Sequence, residues 1–288
     1  MSTAIASEHQ AERTVPRPPV VSVVIPAYNG VQVIGETIRS VLNQSYADYE
    51  LIVVDDASVD QTFEVVSGIQ DPRLRIVRNA TNLGFEGNFN RALEEARGEF
   101  IKVLPMDDLL YPTCLERQVA VLEAAEFQNV CLVACAKDVI TGRGEIVIRG
   151  RKGFSGWLPG GQAIRKTVRA GTNIFGEPGA VLFRRSMLPQ VGRFDGSLPY
   201  MIDLDLWCRL LLHGDAYVIP ETLCAFRIWP ESMSVKLARK QTDQLRGFFK
   251  RLSSRSEFGV RASDICLGSL RAYCNSLARM AVYRLLMK

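Results

Sequence analysis

The chain has 288 residues, 47% hydrophobic and 23% charged, with a formal net charge of +4. That length supports one large domain or a domain with an appendage, and the composition is that of an ordinary globular protein. His9 and His213 are its only histidines and its seven cysteines include no CxxC pair, which argues against a His-rich zinc centre and a disulfide framework and for reduced thiols in a cytosolic setting.

Residues 1–19 contain Pro16, Pro18 and Pro19, show no apolar periodicity and lack the apolar core of a signal peptide, so they read as a disordered leader. Val20 to Ile25 is a near-continuous β-branched run, as expected of a strand covered on both faces. Pro26-Ala27-Tyr28-Asn29-Gly30 ends it, and Ile34, Ile38, Val41 and Leu42 mark a helix by their spacing. Leu51 to Val54 is a second buried strand, ending in Asp55-Asp56-Ala57-Ser58. A helix from Asp60 to about Gln70, a strand from Arg73 to Val77 and a helix from about Glu86 to Ala96 follow. The next strand, Phe100 to Leu104, is stopped by Pro105 and delivers Asp107 and Asp108.

Four strand–helix alternations in about a hundred residues predict an α/β fold, a mostly parallel Rossmann-like sheet flanked by helices. Ligands of such sheets bind outside the carboxyl ends of the strands, where Tyr28, Asp55, Asp56, Asp107 and Asp108 all fall. No GxGxxG follows the first strand, which argues against a dinucleotide-binding domain. Adjacent aspartates repel unless a cation or strong donors lie between them, and oxygen ligands suit Mg2+ or Mn2+ shared with substrate phosphates. A plain turn is the competing reading.

Val23-Val24-Ile25-Pro26-Ala27-Tyr28-Asn29, Val53-Val54-Asp55-Asp56-Ala57-Ser58, Asn82-Leu83-Gly84 with Asn90, and Met106-Asp107-Asp108 stand in an order and spacing that resemble family 2 glycosyltransferases. These are inverting nucleotide-sugar enzymes of the GT-A fold, and the resemblance covers about residues 20–230. It implies a GT-A catalytic domain over 20–235, with a nucleotide-binding half at 20–110 and an acceptor half at 111–235. It also implies a donor carrying UDP or dTDP and a saccharide or lipid-linked acceptor. Pro26, Ala27, Tyr28, Asn29, Asp55, Asp56, Asn82, Gly84, Asn90, Met106 and Asp107 would form the nucleotide site. Tyr28 can stack on a base, and Asp56 can accept from a pyrimidine N3–H. Asp107, with Asp108, would hold the Mg2+ or Mn2+. The chain departs from the common pattern at Pro105, where the family's first D-x-D carboxylate stands.

After a helix over 112–126 and a strand over 130–136, residues 141–179 are glycine-rich and without clear periodicity. By resemblance this is acceptor-side, with Gly176, Glu177 and Pro178 lining the cleft; the competing reading is a surface connection. Asp203 and Asp205 would sit some 200° apart on one helix, so a single helix cannot send both into one cleft. Asp205 can pair with Arg209 at i, i+4, and with Trp207 it is assigned to the acceptor side. Asp203 stands where a helix N-cap would, and by resemblance it is the base that deprotonates the acceptor hydroxyl, although the Glu usual before it is Ile202 here. Two short strands, about 216–219 and 223–228, follow, and Arg227 to Ser234 resembles the element that closes the cleft.

Residues 236–288 hold twelve Lys/Arg against three Asp/Glu, a net +9 on a body of net −5. They predict a C-terminal helical extension in which Leu267, Leu270, Cys274, Leu277, Ala281 and Leu285 form one stripe, opposite Arg271, Asn275 and Arg279. Two uses stand open for that helix: packing on the catalytic domain, or lying on the anionic inner face of the cell membrane. A homo-oligomer also stands open, and no nucleic-acid partner is expected. The rivals to an enzyme of this kind are a nucleotidyltransferase, whose Gly-rich basic loop is absent, and a degenerate scaffold, for which Pro105 and Ile202 give some footing.

Overall fold

The computed structural model describes residues 17–150 and 154–286. The expected leader at 1–19 therefore falls almost wholly outside the described residues, as does the side chain of Leu285. Four strands, β1 (Val21–Ala27), β2 (Tyr49–Asp55), β3 (Leu74–Arg78) and β4 (Phe100–Val103), alternate with helices α1 (Ile34–Leu42), α2 (Thr62–Ser67) and α3 (Gly84–Glu95). The second half runs β5 (Leu109–Leu110), α4 (Cys114–Glu123), β6 (Val130–Thr141), β7 (Ile146–Ile148), β8 (Gly156–Leu158), α5 (Gly160–Ala170), β9 (Val181–Arg184), α6 (Leu188–Val191), α7 (Ile202–Leu210), β10 (Asp215–Ile228) and α8 (Met233–Lys236). Helices α9 (Gln241–Ser253) and α10 (Ala262–Leu286) complete it.

One ten-stranded sheet runs in the order β3-β2-β1-β4-β9-β6-β10-β5, with β7 beside β6 and β8 beside β10. Every residue of β1 is buried, which is why its sequence is continuously apolar rather than alternating. β1 pairs parallel with β2 and with β4, so the chain leaves β1 to one side and later returns to its other side. Such a reversal opens a crevice at the carboxyl ends of the strands, and it places Tyr28, Asp56 and Asp107 around one opening. β9 joins β4 antiparallel, and β6 runs parallel to β10 beyond it.

Two expectations are corrected. Residues 215–228 form one strand rather than two, with register shifts around Thr222 absorbing the break at Pro220. The glycine-rich stretch contains α5, whose Ala163, Ile164, Thr167 and Val168 are buried on one face.

Leu245, Phe248, Phe249, Leu252 and Phe258 of the C-terminal region join the same apolar core as Trp207. α10 lies across α5 backbone to backbone. A Cβ on Gly268 would stand 2.0 Å from the Val168 carbonyl oxygen, and one on Gly171 would stand 2.4 Å from the Ala272 nitrogen. Asn275 donates to the Ala170 and Gly171 carbonyls at 3.1 and 3.2 Å. The helix thus docks by its small and polar face, and the stripe containing Leu270 and Leu277 is turned outward.

Candidate active site

A cavity of about 830 Å³ opens at the carboxyl ends of β1 and β4, within the usual range for a ligand site. Its lining includes Pro26, Ala27, Tyr28, Asp56, Asn82, Gly84, Met106, Asp107, Glu177, Pro178 and Asp203, so most of the residues singled out in the sequence are brought together. Tyr28 is 41% exposed, with its ring available for stacking. Asp56 is buried, and its carboxylate accepts the Leu83 and Gly84 backbone N–H groups at 2.8 and 3.0 Å and Asn79 Nδ2 at 2.8 Å. It thereby fastens the start of α3 against β2. Two carboxylate oxygens offer about four lone-pair directions, so a fourth donor can still be accepted.

Asn29, Asp55, Asn90 and Gly176 do not line the cavity. Asn29, at φ +50°, accepts from the Val59 N–H at 3.0 Å and so ties the β1 turn to the β2 turn. Asp55 is fully buried, accepts the Ser58 N–H at 3.2 Å and pairs with Arg78 at 3.2 Å. That is the strand-ending Asx turn rather than a ligand contact. Asn90 exchanges two hydrogen bonds with the Phe194 backbone.

The aspartate pair is divided in the same way. Asp107 faces the cavity and accepts Trp229 Nε1–H at 2.8 Å. Asp108 is 2% exposed, does not line the cavity, and accepts the Arg227 N–H at 3.0 Å. Burial pushes both carboxyls upward, and the neighbouring Asp107 pushes Asp108 further. Among the described residues no group of three or more His, Cys, Asp or Glu could hold an ion. The donor set fits a divalent cation held by one carboxylate together with substrate phosphates and water, which is how Mg2+ is commonly bound.

Arg227, at the carboxyl end of β10, is enclosed rather than placed on a surface element. It is 1% exposed. Its guanidinium donates to the Asp107 carbonyl at 2.8 Å, to the Gly142 carbonyl at 2.9 Å and to Glu36 at 2.6 Å. The Asp107-Asp108 turn is therefore clamped from β10.

On the acceptor side, Asp203 lies in the first turn of α7, which begins at Ile202. It accepts Asn173 Nδ2 at 3.0 Å, and Asn173 in turn accepts the Phe175 and Gly176 N–H groups at 3.0 and 3.2 Å. Burial raises the Asp203 carboxyl to about 6, against the lowering effects of its hydrogen bonds and of the Lys137 charge. Such a value suits a general base working near neutral pH. Asp205 and Trp207 do not reach the cavity. Asp205 pairs with Arg209 at 2.8 Å, and Trp207 is fully buried against Phe183 and Phe194.

Several lining residues were not foreseen: Phe85, Asn88, Phe89, Lys137, Tyr200 and Arg279. Lys137 pairs with Glu177 and lies 5.3 Å from the Phe226 ring centre. A lone lysine inside the apolar run of β6 was the one local signal available for it.

Residues 22–192 match the family described as Glycosyl transferase family 2. The uncharacterized protein MT1568 of Mycobacterium tuberculosis (strain CDC 1551 / Oshkosh) is 31% identical over 74% of this chain and 68% of its own length. Escherichia coli WfgD, named a UDP-Glc:alpha-D-GlcNAc-diphosphoundecaprenol beta-1,3-glucosyltransferase, is 39% identical over 36% of this chain and 41% of that protein. Among solved structures, S. aureus TarS is similar with a TM-score of 0.62 at 19% identity, over 81% of this chain but only 39% of TarS. The mannosyltransferase PcManGT from Pyrobaculum calidifontis, in complex with GDP-Man and Mn2+, has a TM-score of 0.63 at 20% identity over 92% of this chain and 76% of that one.

Proposed function

The chain belongs to glycosyltransferase family 2, and from that membership we propose that it moves a sugar from a UDP- or dTDP-linked donor to an acceptor hydroxyl with inversion. One observation supports this most: Tyr28, Asp56, Asp107 and Asp203 line a single cavity. Tyr28 stacks on the base, and Asp56 accepts from it while holding the Leu83–Gly84 turn. The acceptor oxygen attacks the anomeric carbon on the face opposite the bond to the diphosphate, and its proton passes to the Asp203 carboxylate. The electron pair of the breaking carbon–oxygen bond leaves with the nucleoside diphosphate. Asn173 orients the base, and Trp229 and Arg227 fix Asp107 where the diphosphate lies. A Mg2+ or Mn2+ ion bound by Asp107 and the donor phosphates would supply positive charge to the leaving oxygen.

The acceptor is a saccharide or a lipid-linked glycan intermediate of surface polysaccharide synthesis, a reading supported by the name of the E. coli relative. The test is a thermal-shift series of nucleoside diphosphates and nucleotide sugars with and without Mn2+, followed by donor hydrolysis. A uridine or thymidine donor should raise the melting temperature, more so with Mn2+, and should be slowly hydrolysed. No stabilisation by any nucleotide would reject the reading, whereas binding without hydrolysis or transfer would leave a donor-binding scaffold.

A further inference from the structure

The outward face of α10 carries no charge over most of its length. Leu270 is 65% exposed, Tyr273 51% and Leu277 47%, and Cys266 and Cys274 are exposed beside them. Arg271 and Arg279 are the only charged residues between Ile265 and Val282. Arg279 turns inward to Thr172 Oγ1 at 2.6 Å, while the exposed Arg271 lies at the flank of the stripe, donating to the Arg169 carbonyl at 3.0 Å. An apolar stripe about three helical turns long, uncovered by the described residues, marks an interaction surface.

The flank of the stripe points to its partner. A basic pocket of about 600 Å³ lies between α5 and α10, lined by Arg165, Lys166, Arg169 and Arg271. Among the described residues it is Asp264 that pairs with these cations, with Arg165 and Arg169 at 3.0 and 3.5 Å. An apolar strip beside a cationic shelf fits a bilayer of anionic lipid, with acyl chains meeting the strip and headgroup phosphates meeting the shelf. A second copy of the chain would bring the same cations along with its own strip.

We propose that the Leu270–Tyr273–Leu277 face of α10, with Lys166, Arg169 and Arg271 beside it, docks the protein flat on an anionic membrane surface. The same helix supplies Ala278, Arg279 and Val282 to the wall of the candidate active site, so docking sets the cavity next to the headgroups. That consequence rests on the lipid-linked acceptor proposed above; the docking does not.

The full chain is floated with vesicles of phosphatidylcholine alone or mixed with phosphatidylglycerol. It should float with the mixed vesicles, less at high salt, and stay behind with phosphatidylcholine. Leu270→Glu/Leu277→Glu should lose at least ten-fold of the binding, and Lys166→Glu should weaken it selectively, with melting temperature and donor-induced thermal shift unchanged in both. Those two controls separate failed docking from failed donor assignment. Absence of flotation, or equal flotation of both variants, would overturn the proposal. So would a lipid-free dimer in light scattering that the leucine double variant dissociates, because the stripe would then be covered by a second copy.

Discussion

Trp229 donates its indole N–H to Asp107 at 2.8 Å, joining the residue after β10 to the turn after β4 across 122 positions of sequence. The bond opposes the burial that raises the Asp107 carboxyl, and it fixes which oxygen stays free for a ligand. Trp229 is itself 7% exposed, so the donor is held by packing. Trp229→Phe keeps most of that packing and deletes the donor. Sugar transfer should fall about ten-fold or more, with a larger Mn2+ requirement and a stability loss of about 1 kcal/mol. Unchanged turnover would separate this hydrogen bond from the chemistry.

Asp203 controls a pH limb. With a folded-state value of about 6, the carboxylate needed as base disappears below that pH, so kcat/KM should fall on the acid side of about 6. Asp203→Asn should remove about 10²–10⁴-fold of the transfer rate while leaving donor binding intact.

The same shift carries a stability consequence of definite sign. A carboxyl raised from 3.8 to about 6 binds its proton more tightly in the folded state. Its favourable contribution is therefore complete below 3.8 and lost as pH rises through 6. Asp203→Asn should be more stable than the parent at pH 7.5, on the order of 1–3 kcal/mol, with the gain shrinking toward pH 4. Urea midpoints at the two pH values measure it.

Asn173 tunes that limb. Its Nδ2 donates both to Asp203 and to the Gly176 carbonyl, at 3.0 and 2.8 Å. The bond to Asp203 lowers the carboxyl, so Asn173→Ala should move the acid limb to higher pH. Turnover should drop several-fold more at pH 6 than at pH 8. Lys137→Met should shift the limb in the same direction by removing a charge, without touching the hydrogen bonds of Asp203. A uniform loss across pH would assign both residues to substrate binding instead.

The first half of the fold was legible because β1 and β2 are near-continuous apolar runs and α1 shows its period. Asp56, Asp107 and Asp203 could be singled out by resemblance, since they sit at strand or helix ends that recur in order along the chain. The failures have physical causes. α5 opens on Gly160-Gly161 and carries arginine and lysine on its outer face, so its short apolar period was hidden. β10 crosses Pro220-Glu221 by register shifts rather than by stopping. The sorting of Asp55 from Asp56, and of Asp108 from Asp107, depends on partners far away in sequence: Arg78 for one, the Arg227 backbone for the other. Nor could periodicity say which face of α10 packs, because glycines at 171 and 268 let the backbones meet and made the polar face the inner one.

Arg227 is the residue through which the second half of the chain holds the first. It is fully enclosed, and its side chain reaches Asp107, the Thr141 and Gly142 carbonyls and Glu36, on three different segments. Its own N–H holds Asp108. Arg227→Met would fill much of the volume and keep the backbone bond to Asp108. It would leave the carbonyls of Asp107 and Gly142 buried without a donor, whereas the half-exposed Glu36 would return to water. Removing one partner of a buried charged network costs about 3–5 kcal/mol, so the variant should unfold at distinctly lower urea. Arg227→Lys should recover little, because a single ammonium cannot span the acceptors on three segments that the planar guanidinium meets at once. Transfer measured well below the unfolding transition should still be depressed, since the Asp107 turn has lost its clamp. Wild-type stability in either variant would show that the Asp107-Asp108 turn holds its shape without the Arg227 guanidinium.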